Sequence, residues 1–554
     1  MRGVFQTNRL PFAALTRRVS RLRLLDSAPI SKLEAAVAAA FLLVLGAVAY
    51  GSHVIHGGFV HDDWAYLADA KFHSFTDAVA LNRVSTGNRI LHAYYIALVH
   101  RVFGTHAHAH LAWITFLAVL MSFSLYLLLR NLEVARLHSL AIAGLTLLFP
   151  ATSASRLWIT GATPQLAISL YLLGVVVALR GLRARSYRAV ALHALAVAMF
   201  VASLLLYEIC AVAVLATVAL YALRAPWRAA RLRWPIDVAA VVVTLAYMNT
   251  GRVQRVNPLQ DQVAHAAWIG GQAGYTLLSI GIPNGHPRLT SPLVLASIAF
   301  GLVMLAIVAR AIAVWRALDR DSATSSEIRY WLAFMAAGMA AIAVGYAMFV
   351  PADRYYSPLG QGIVSRVNIL AAAGYVIVLY GLLVLTATLV FRGRRRGSQL
   401  RVAVTVVGTL ALAAVYLHQL GIEKSYYDRS WALQDRILHV LRSNVRPPPK
   451  GTTLYAFKSP ADTAPSVPVF GASWDLTGAI RVLWNDYSLF AVPDTTLTGI
   501  SCRASGVKPR GVLYATYSSR YGRSLFVDTT TGRAVMITSR SACRKLLPTF
   551  TSLR

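Results

Sequence analysis

The sequence predicts a polytopic α-helical membrane protein with a small α+β domain at its C-terminus. Of its 554 residues 57% are hydrophobic and only 14% are charged, which is too apolar for a soluble protein of this length. Apolar runs of membrane-spanning length recur over the first three quarters of the chain, and the composition changes after "VRPPPKG". These observations exclude a soluble globular class.

A spanning helix requires about 20 mostly apolar residues, and about eleven segments meet this requirement. Their centres lie near residues 42, 120, 143, 172, 198, 215, 242, 301, 340, 379 and 410.

The charges predict how these spans are oriented. The net charge is +32, but the basic residues form short clusters between apolar runs, as the positive-inside rule predicts. We therefore predict membrane lipids and no nucleic acid as partners. Residues 1–32 form a basic cytoplasmic tail, without the short apolar region and cleavage site of a secretory signal. Every second loop after it is basic, which places the C-terminus outside: the basic loops are "RNLEVAR", "RGLRARSYR", "RAPWRAARLRW", "RAIAVWRALDR" and "FRGRRRGSQLR".

Two segments leave the number of crossings open. Residues 88–104 have apolar positions at helical spacing, but His92, His100 and Arg101 interrupt them, so we predict an amphipathic helix on the membrane surface. Residues 262–283 could form a second one. If either segment crosses the membrane, the orientation of every later span reverses.

We predict the following domain boundaries. Residues 33–421 form the transmembrane domain, whose first extracytoplasmic loop spans 53–110, and residues 422–446 connect it to a domain at 447–554. The segments "TTLYAF", "GVLYATYSS" and "SLFVDTTTGRAVMI" are typical of strands and hairpins. The segment "DLTGAIRVLW" is typical of an amphipathic helix, so this domain is α+β.

The chain has three cysteines. Cys502 and Cys543 lie in the C-terminal domain, whereas Cys210 lies in a predicted span. A pair in a domain that the charge pattern places outside favours one disulfide in an oxidising compartment. Two unrelated free thiols remain the alternative.

An acidic pair follows the first apolar run. Asp62 and Asp63 stand in "GGFVHDDWAYL", at the expected outer boundary of the first span. Adjacent carboxylates near a low-dielectric surface repel each other, so one pKa should rise and that group could act as a general base. The alternative is a solvated turn or a helix N-cap, where Asp is favoured.

The pair and its position resemble the GT-C superfamily of integral-membrane glycosyltransferases. Members include the protein O-mannosyltransferases, the bacterial lipid A aminoarabinose transferases and the mycobacterial arabinosyltransferases. They carry an acidic pair in the first extracytoplasmic loop, followed by surface-lying helices. Asp62 and Asp63, followed by Trp64, match the pair, and "NRVSTGNRILHAYYIALVHRVFG" takes the place of those helices. The resemblance covers most of the chain and predicts a GT-C-like architecture.

The resemblance implies an inverting hexosyl or pentosyl transferase of a bacterial plasma membrane. Its donor would be a polyprenyl-phosphate sugar and its acceptor a hydroxyl of a glycan, lipid or protein on the outer face. Asp62 matches the general base, and Trp64 would support the acceptor. Asp63 would be the partner of Asp62, orienting the acceptor or holding a divalent metal, Mg or Mn, which only some members need.

A cationic site must stabilise the departing phosphate. The best candidates lie in "PADRYYSPLGQGIVSRVNI", where Arg354 and Arg366 stand on the predicted outer side beside Tyr355 and Tyr356. Arginine offers a planar fork that matches phosphate oxygens. An aromatic membrane-interface belt with snorkelling arginines is the alternative.

Further candidates are weaker. Glu208, between two apolar runs, could bind the acceptor or form a structural ion pair. Arg83 and Arg89 could approach the donor phosphate or bind phospholipid headgroups. Trp158 is more typical of a membrane-interface anchor than of a sugar platform.

Other functions find less support. His106, His108 and His110 have a spacing of two that does not put them on one face of a helix, so we do not predict zinc. No Walker, GxGxxG or HExxH motif is present, which disfavours nucleotide-driven transport, dinucleotide chemistry and zinc proteolysis. A secondary transporter or flippase of lipid-linked saccharide, or an O-antigen ligase or polymerase, remains the alternative function.

Overall fold

A computed structural model describes residues 29–250, 258–283, 291–318, 322–352, 356–393, 396–494, 499–509 and 517–551. The chain forms two compact units. The first, here called the membrane unit, comprises Met1–Tyr50, Thr115–Arg156 and Ala162–Gly421. The second, here called the mixed unit, comprises Gly51–Ile114, Leu157–Gly161 and Ile422–Arg554. The first loop and the C-terminal domain therefore belong to one unit.

Eight helices in the described part of the chain are long and apolar enough to cross a membrane. They are α1 (Lys32–His56), α5 (Ala107–Asn131), α8 (Thr163–Gly181), α9 (Ser186–Leu206), α13 (Pro292–Ala317), α14 (Ala323–Ala347), α15 (Ala372–Val390) and α16 (Gly397–Asn444). The prediction of a helical multi-pass membrane protein is confirmed.

The three other predicted spans are also helical but differ in length or composition. Helix α6 (Arg136–Leu148) has 13 residues and α10 (Ala211–Arg224) has 14, fewer than the roughly 20 that a bilayer requires. Helix α11 (Trp227–Asn249) has 23 residues, but its first half, "WRAARLRWPID", is rich in charge. The total of eleven spans therefore stays a prediction.

The two segments that the sequence leaves either on the membrane surface or across the membrane both form helices. Residues 88–104 contain α4 (Ile90–Phe103), which buries Ile96 and leaves Tyr94, Leu98 and Val102 between 46% and 64% exposed. The exposed apolar residues are four positions apart and share one face, as expected of a surface helix. Residues 262–283 contain most of α12 (Leu259–Leu278).

The mixed unit begins with short helices of the first loop. They are α2 (Asp63–Phe72), α3 (Phe75–Thr86) and α4. A four-residue helix, α7 (Ala154–Leu157), runs into the short segment Leu157–Gly161.

A four-stranded sheet with the order β4-β1-β7-β8 forms the core of the C-terminal domain. Strand β1 (Thr453–Phe457) pairs in parallel with β4 (Phe490–Pro493) and β7 (Ser524–Asp528), and β7 pairs antiparallel with β8 (Ala534–Ile537). Helix α17 (Ser473–Trp484) lies between β1 and β4 in the chain and makes the crossover that parallel strands need. Two small hairpins are also present, β2 (Asp462–Ala464) with β3 (Val467–Pro468), and β5 (Ile500–Arg503) with β6 (Gly506–Pro509).

The α+β prediction for this domain is confirmed. Two of the three predicted strand segments form β1, β7 and β8, and "DLTGAIRVLW" lies within α17, whereas residues 511–516 of "GVLYATYSS" fall outside the described residues. Phe457, Phe526 and Phe550 pack in its core. Cys502 and Cys543 form a disulfide between β5 and α18 (Arg540–Thr551).

Candidate functional site

The site begins in the tight segment between α1 and α2. At Gly58 a Cβ atom would lie 2.0 Å from the Trp431 ring, so only glycine fits there without movement of the indole. His61 has φ +53°, a left-handed conformation that non-glycine residues seldom adopt. Such conformations persist where surrounding contacts hold them. In this segment His61 and Asp62 directly precede α2.

Asp63 is a structural residue of this segment. Its side chain is fully buried, and one carboxylate oxygen accepts hydrogen bonds from the Thr160 backbone N–H at 2.9 Å and the Thr160 hydroxyl at 2.6 Å. The other oxygen accepts from the Val60 N–H at 2.9 Å. Burial raises the pKa of Asp63 to about 7, although these hydrogen bonds favour the charged form, and the charge of Asp62 is the smallest of the causes. The expected rise in one pKa is therefore present, but burial rather than mutual repulsion dominates it.

Asp62 stands in a different environment. Its side chain is 30% exposed, and it makes no side-chain capping hydrogen bond to α2, so the helix-cap interpretation does not hold for it. Its Oδ1 atom accepts a hydrogen bond from Trp474 Nε1 at 2.8 Å and lies 2.7 Å from His61 Nδ1. Asp62 is thus the acid of the pair that solvent or a substrate can reach.

His61 is held between two indole rings. Its ring makes edge contacts with Trp158 at 5.8 Å and with Trp474 at 5.5 Å between centroids. Trp158 is 2% exposed, so its predicted role as a membrane-interface anchor is wrong: the ring is buried against His61.

Two further acids interact with His61. Burial raises the pKa of Asp475 to about 7, an effect that the charge of His61 opposes and the charge of Asp62 reinforces. Burial likewise raises the pKa of Asp462, and His61 again lowers it. The charge of His61 therefore acts on two carboxyl groups of the mixed unit besides Asp62.

Helix α17 reaches the acidic pair because it packs closely on α2. At Gly478 a Cβ atom would lie 2.3 Å from the backbone oxygen of Trp64, so the helices meet at a position without a side chain. The Asp475 carboxylate accepts from the Ala472 N–H at 3.2 Å and the Leu476 N–H at 2.5 Å, which fixes the first turn of α17. Trp474, in the same turn, therefore lies beside Asp62.

Trp64, which follows the acidic pair, packs inside the mixed unit. It is 5% exposed, stacks on Trp431 with centroids 6.0 Å apart, and donates from Nε1 to Gln434 Oε1 at 2.6 Å. These contacts enclose the ring in protein, and the predicted role of Trp64 toward the acceptor stays a prediction.

The short segment Leu157–Gly161 is fixed by a buried histidine. His53 contacts the Asp428 carboxylate at 2.5 Å through Nδ1 and the Leu157 carbonyl oxygen at 2.9 Å through Nε2. This segment carries Trp158 and Thr160, the partners of His61 and Asp63. Residues distant in sequence therefore build the site around the acidic pair.

The remaining candidates of the first loop lie on neighbouring helices. Arg83 is exposed on α3, and Arg89 is half-buried at the N-cap of α4. Glu208 belongs to the membrane unit, where it opens a 3₁₀ turn, Glu208–Cys210, between α9 and α10.

Two of the four residues predicted to bind the donor phosphate lie within the described residues. The Arg366 guanidinium carbon lies 5.9 Å from the ring centroid of Tyr356, and Tyr356 also packs on Phe349 at 5.5 Å. Arg366 belongs to a 3₁₀ helix, Gly362–Asn368, of the membrane unit. Arg354 and Tyr355 lie outside the described residues.

The membrane unit contains an apolar cavity of about 490 Å³. Side chains from α5, α8, α10, α14 and α15 form its wall. Its lining includes Arg224, the last residue of α10, and Ile369 and Leu370, which directly follow the helix of Arg366.

The Asp63 carboxylate already accepts three hydrogen bonds, two at one oxygen and one at the other. As a metal ligand it would have to direct its remaining lone pair at the ion. Within the described ranges, no group of three or more His, Cys, Asp and Glu side chains is arranged to hold a metal.

Sequence reasoning missed His61, Trp474 and Asp475. His61 directly precedes the acidic pair, and this adjacency is the only local signal it gives. Trp474 and Asp475 come from a helix more than 400 positions later in the chain, and their role depends on tertiary contacts.

No family model and no curated protein matches the chain. Among solved structures, it is similar to an oligosaccharyltransferase of Archaeoglobus fulgidus, crystallised with a tethered acceptor peptide containing the NVT sequon, at 14% identity and a TM-score of 0.40. The match covers 84% of this chain and 64% of that one.

Proposed function

We propose that this protein is a membrane glycosyltransferase with GT-C-like architecture, which transfers a sugar from a polyprenyl-phosphate donor to an acceptor hydroxyl. The observation that carries the proposal is that the two acids of the pair differ in burial and in hydrogen bonding. Asp63 is buried and anchors the loop, whereas Asp62 is 30% exposed, accepts a hydrogen bond from Trp474 and lies beside the His61 ring. The resemblance of the pair to the GT-C signature supports the same assignment.

In the proposed reaction Asp62 takes the proton of the acceptor hydroxyl. The acceptor oxygen forms a bond to the anomeric carbon while the bond from that carbon to the phosphate oxygen breaks. The electron pair leaves with the polyprenyl phosphate, and attack from the opposite face inverts the configuration. No step passes through a metal.

The membrane unit would supply the donor site. Arg366 and Tyr356 lie side by side, and arginine suits the growing negative charge on a departing phosphate. Arg354 and Tyr355 would complete this site by their sequence position. The apolar cavity of about 490 Å³ would take part of the lipid chain.

The remaining candidates have secondary roles in the proposal. Glu208 would contact the acceptor, and Arg83 and Arg89 would attract the anionic donor to the first loop. We place the reaction on the outer face because the charge pattern predicts that the first loop lies outside, and in a bacterial plasma membrane because the family resemblance implies one.

The test is an assay on membranes that contain the protein and a radiolabelled polyprenyl-phosphate sugar. We expect a new labelled glycoside, with release of the lipid phosphate, in membranes with the wild-type protein and not with Asp62→Asn. Asp77→Asn, the same substitution at an exposed position of α3, is the control and should retain activity. Movement of intact donor across the membrane without a new glycosidic bond would instead identify a flippase or transporter.

A further inference from the structure

We propose that Trp474 and His61 position the Asp62 carboxylate, so that the C-terminal domain completes the catalytic site. This inference rests on the proposed function and assigns the C-terminal domain a part in the reaction. Its starting observation is that both side chains approach the same oxygen. Trp474 Nε1 lies 2.8 Å from Asp62 Oδ1, and His61 Nδ1 lies 2.7 Å from it.

The first contact has an unambiguous direction. An indole N–H is a donor and has no acceptor atom on the ring nitrogen, so Asp62 accepts this hydrogen bond. Such a bond restricts the rotation of the carboxylate. A base fixed in this way meets the acceptor in a defined orientation, and orientation errors of about 1 Å cost on the order of a hundredfold in rate.

Trp474 is itself held by the domain that carries it. Its helix is fixed at one turn by the buried Asp475 carboxylate and at the next by the contact of Gly478 with the Trp64 backbone. The hydrogen bond from Tyr487 to the Asp69 carboxylate, at 2.9 Å, joins the segment after α17 to α2. The indole therefore approaches Asp62 from a rigid support.

His61 is held by contacts of its own. Its backbone is left-handed, its Nδ1 lies beside Asp62, and its ring makes edge contacts with Trp158 and Trp474. The two positioning residues also touch each other, with ring centroids 5.5 Å apart. Removal of one should therefore loosen the other as well as the carboxylate.

The experiment compares four variants of the full-length protein in the transfer assay. Trp474→Phe keeps an aromatic side chain, although a smaller one, and removes the N–H. Trp484→Phe makes the same change at the other end of α17. His61→Ala removes the imidazole, whereas His61→Asn places an amide N–H near the position of Nδ1 and tolerates a left-handed backbone.

We expect Trp474→Phe and His61→Ala to lower kcat by about tenfold or more, without a change in KM for the donor or in thermal stability. Trp484→Phe should stay close to wild type, and His61→Asn should recover part of the activity that His61→Ala loses. Wild-type kcat in Trp474→Phe would overturn the inference, and so would a loss that accompanies equal losses of donor binding and thermal stability, because that pattern indicates a structural role. Full activity of Asp62→Asn would instead overturn the proposed function itself.

Discussion

At the scale of the residue, two neighbouring aspartates stand in different environments, Asp63 buried and Asp62 partly exposed. The sequence predicts an acidic pair after the first span and, through the family resemblance, Asp62 as the base. It does not predict which acid is buried, because the partners of Asp63 include Thr160, 97 positions later, and the partner of Asp62 is Trp474, 412 positions later. Local sequence cannot contain these contacts.

Replacement of Asp63 by Ala should chiefly affect stability. The Val60 and Thr160 N–H groups and the Thr160 hydroxyl would lose their acceptor inside the protein, and an unpaired buried polar group costs about 1–3 kcal/mol. We expect a lower free energy of unfolding, measured by thermal or chemical denaturation in detergent. Asp62→Asn, at the exposed neighbour, should change the stability little. Asp63→Ala with wild-type stability would contradict the anchoring role.

Stability should also depend on pH through Asp475. Burial raises its pKa to about 7 from an ordinary value of 3.8, so the folded protein binds this proton more tightly than the unfolded chain does. The free energy of unfolding should therefore fall as pH rises from about 4 to about 7, by at least about 1 kcal/mol, since one pKa unit corresponds to about 1.4 kcal/mol. Thermal midpoints at a series of pH values test this. Asp475→Asn should show a shallower decline, and an unchanged slope would show that Asp475 is not its source.

At the scale of the element, helix α17 links the C-terminal domain to the acidic pair. The apolar spacing of "DLTGAIRVLW" predicts this helix, because periodicity is a local property. The surface that it packs on was not predictable, since Gly478 gives no sign of facing the backbone of Trp64. The contact appears only when α2 and α17 are placed together.

Gly478→Ala tests this contact. The added Cβ would lie 2.3 Å from the Trp64 oxygen, and because backbone cannot yield as a flexible side chain does, α17 must shift. We expect lower thermal stability and a lower transfer rate, since Trp474 lies one turn away. Gly421→Ala, within α16, has open space around its Cβ and should be neutral or slightly stabilising. Equal behaviour of the two variants would argue against close packing of α17 on α2.

At the scale of the whole molecule, the sequence predicts much of the architecture. The bilayer imposes length and apolarity on every crossing helix, so eight of the eleven predicted spans are evident from composition and persist in the structure. Helices α6 and α10 are shorter than their apolar runs suggest because the chain turns into 3₁₀ segments at Pro150 and Glu208. The sequence does not predict the mixed unit as one compact unit, because three separate segments of the chain form it.

The central claim is that Asp62 is the base of a sugar transfer from a lipid phosphate. The most direct measurement is kcat together with donor affinity for purified wild type, Asp62→Asn and Asp77→Asn. We predict that Asp62→Asn lowers kcat by about a hundredfold or more while the Kd for the polyprenyl-phosphate sugar stays within about twofold of wild type. Turnover by Asp62→Asn equal to that of Asp77→Asn would contradict it.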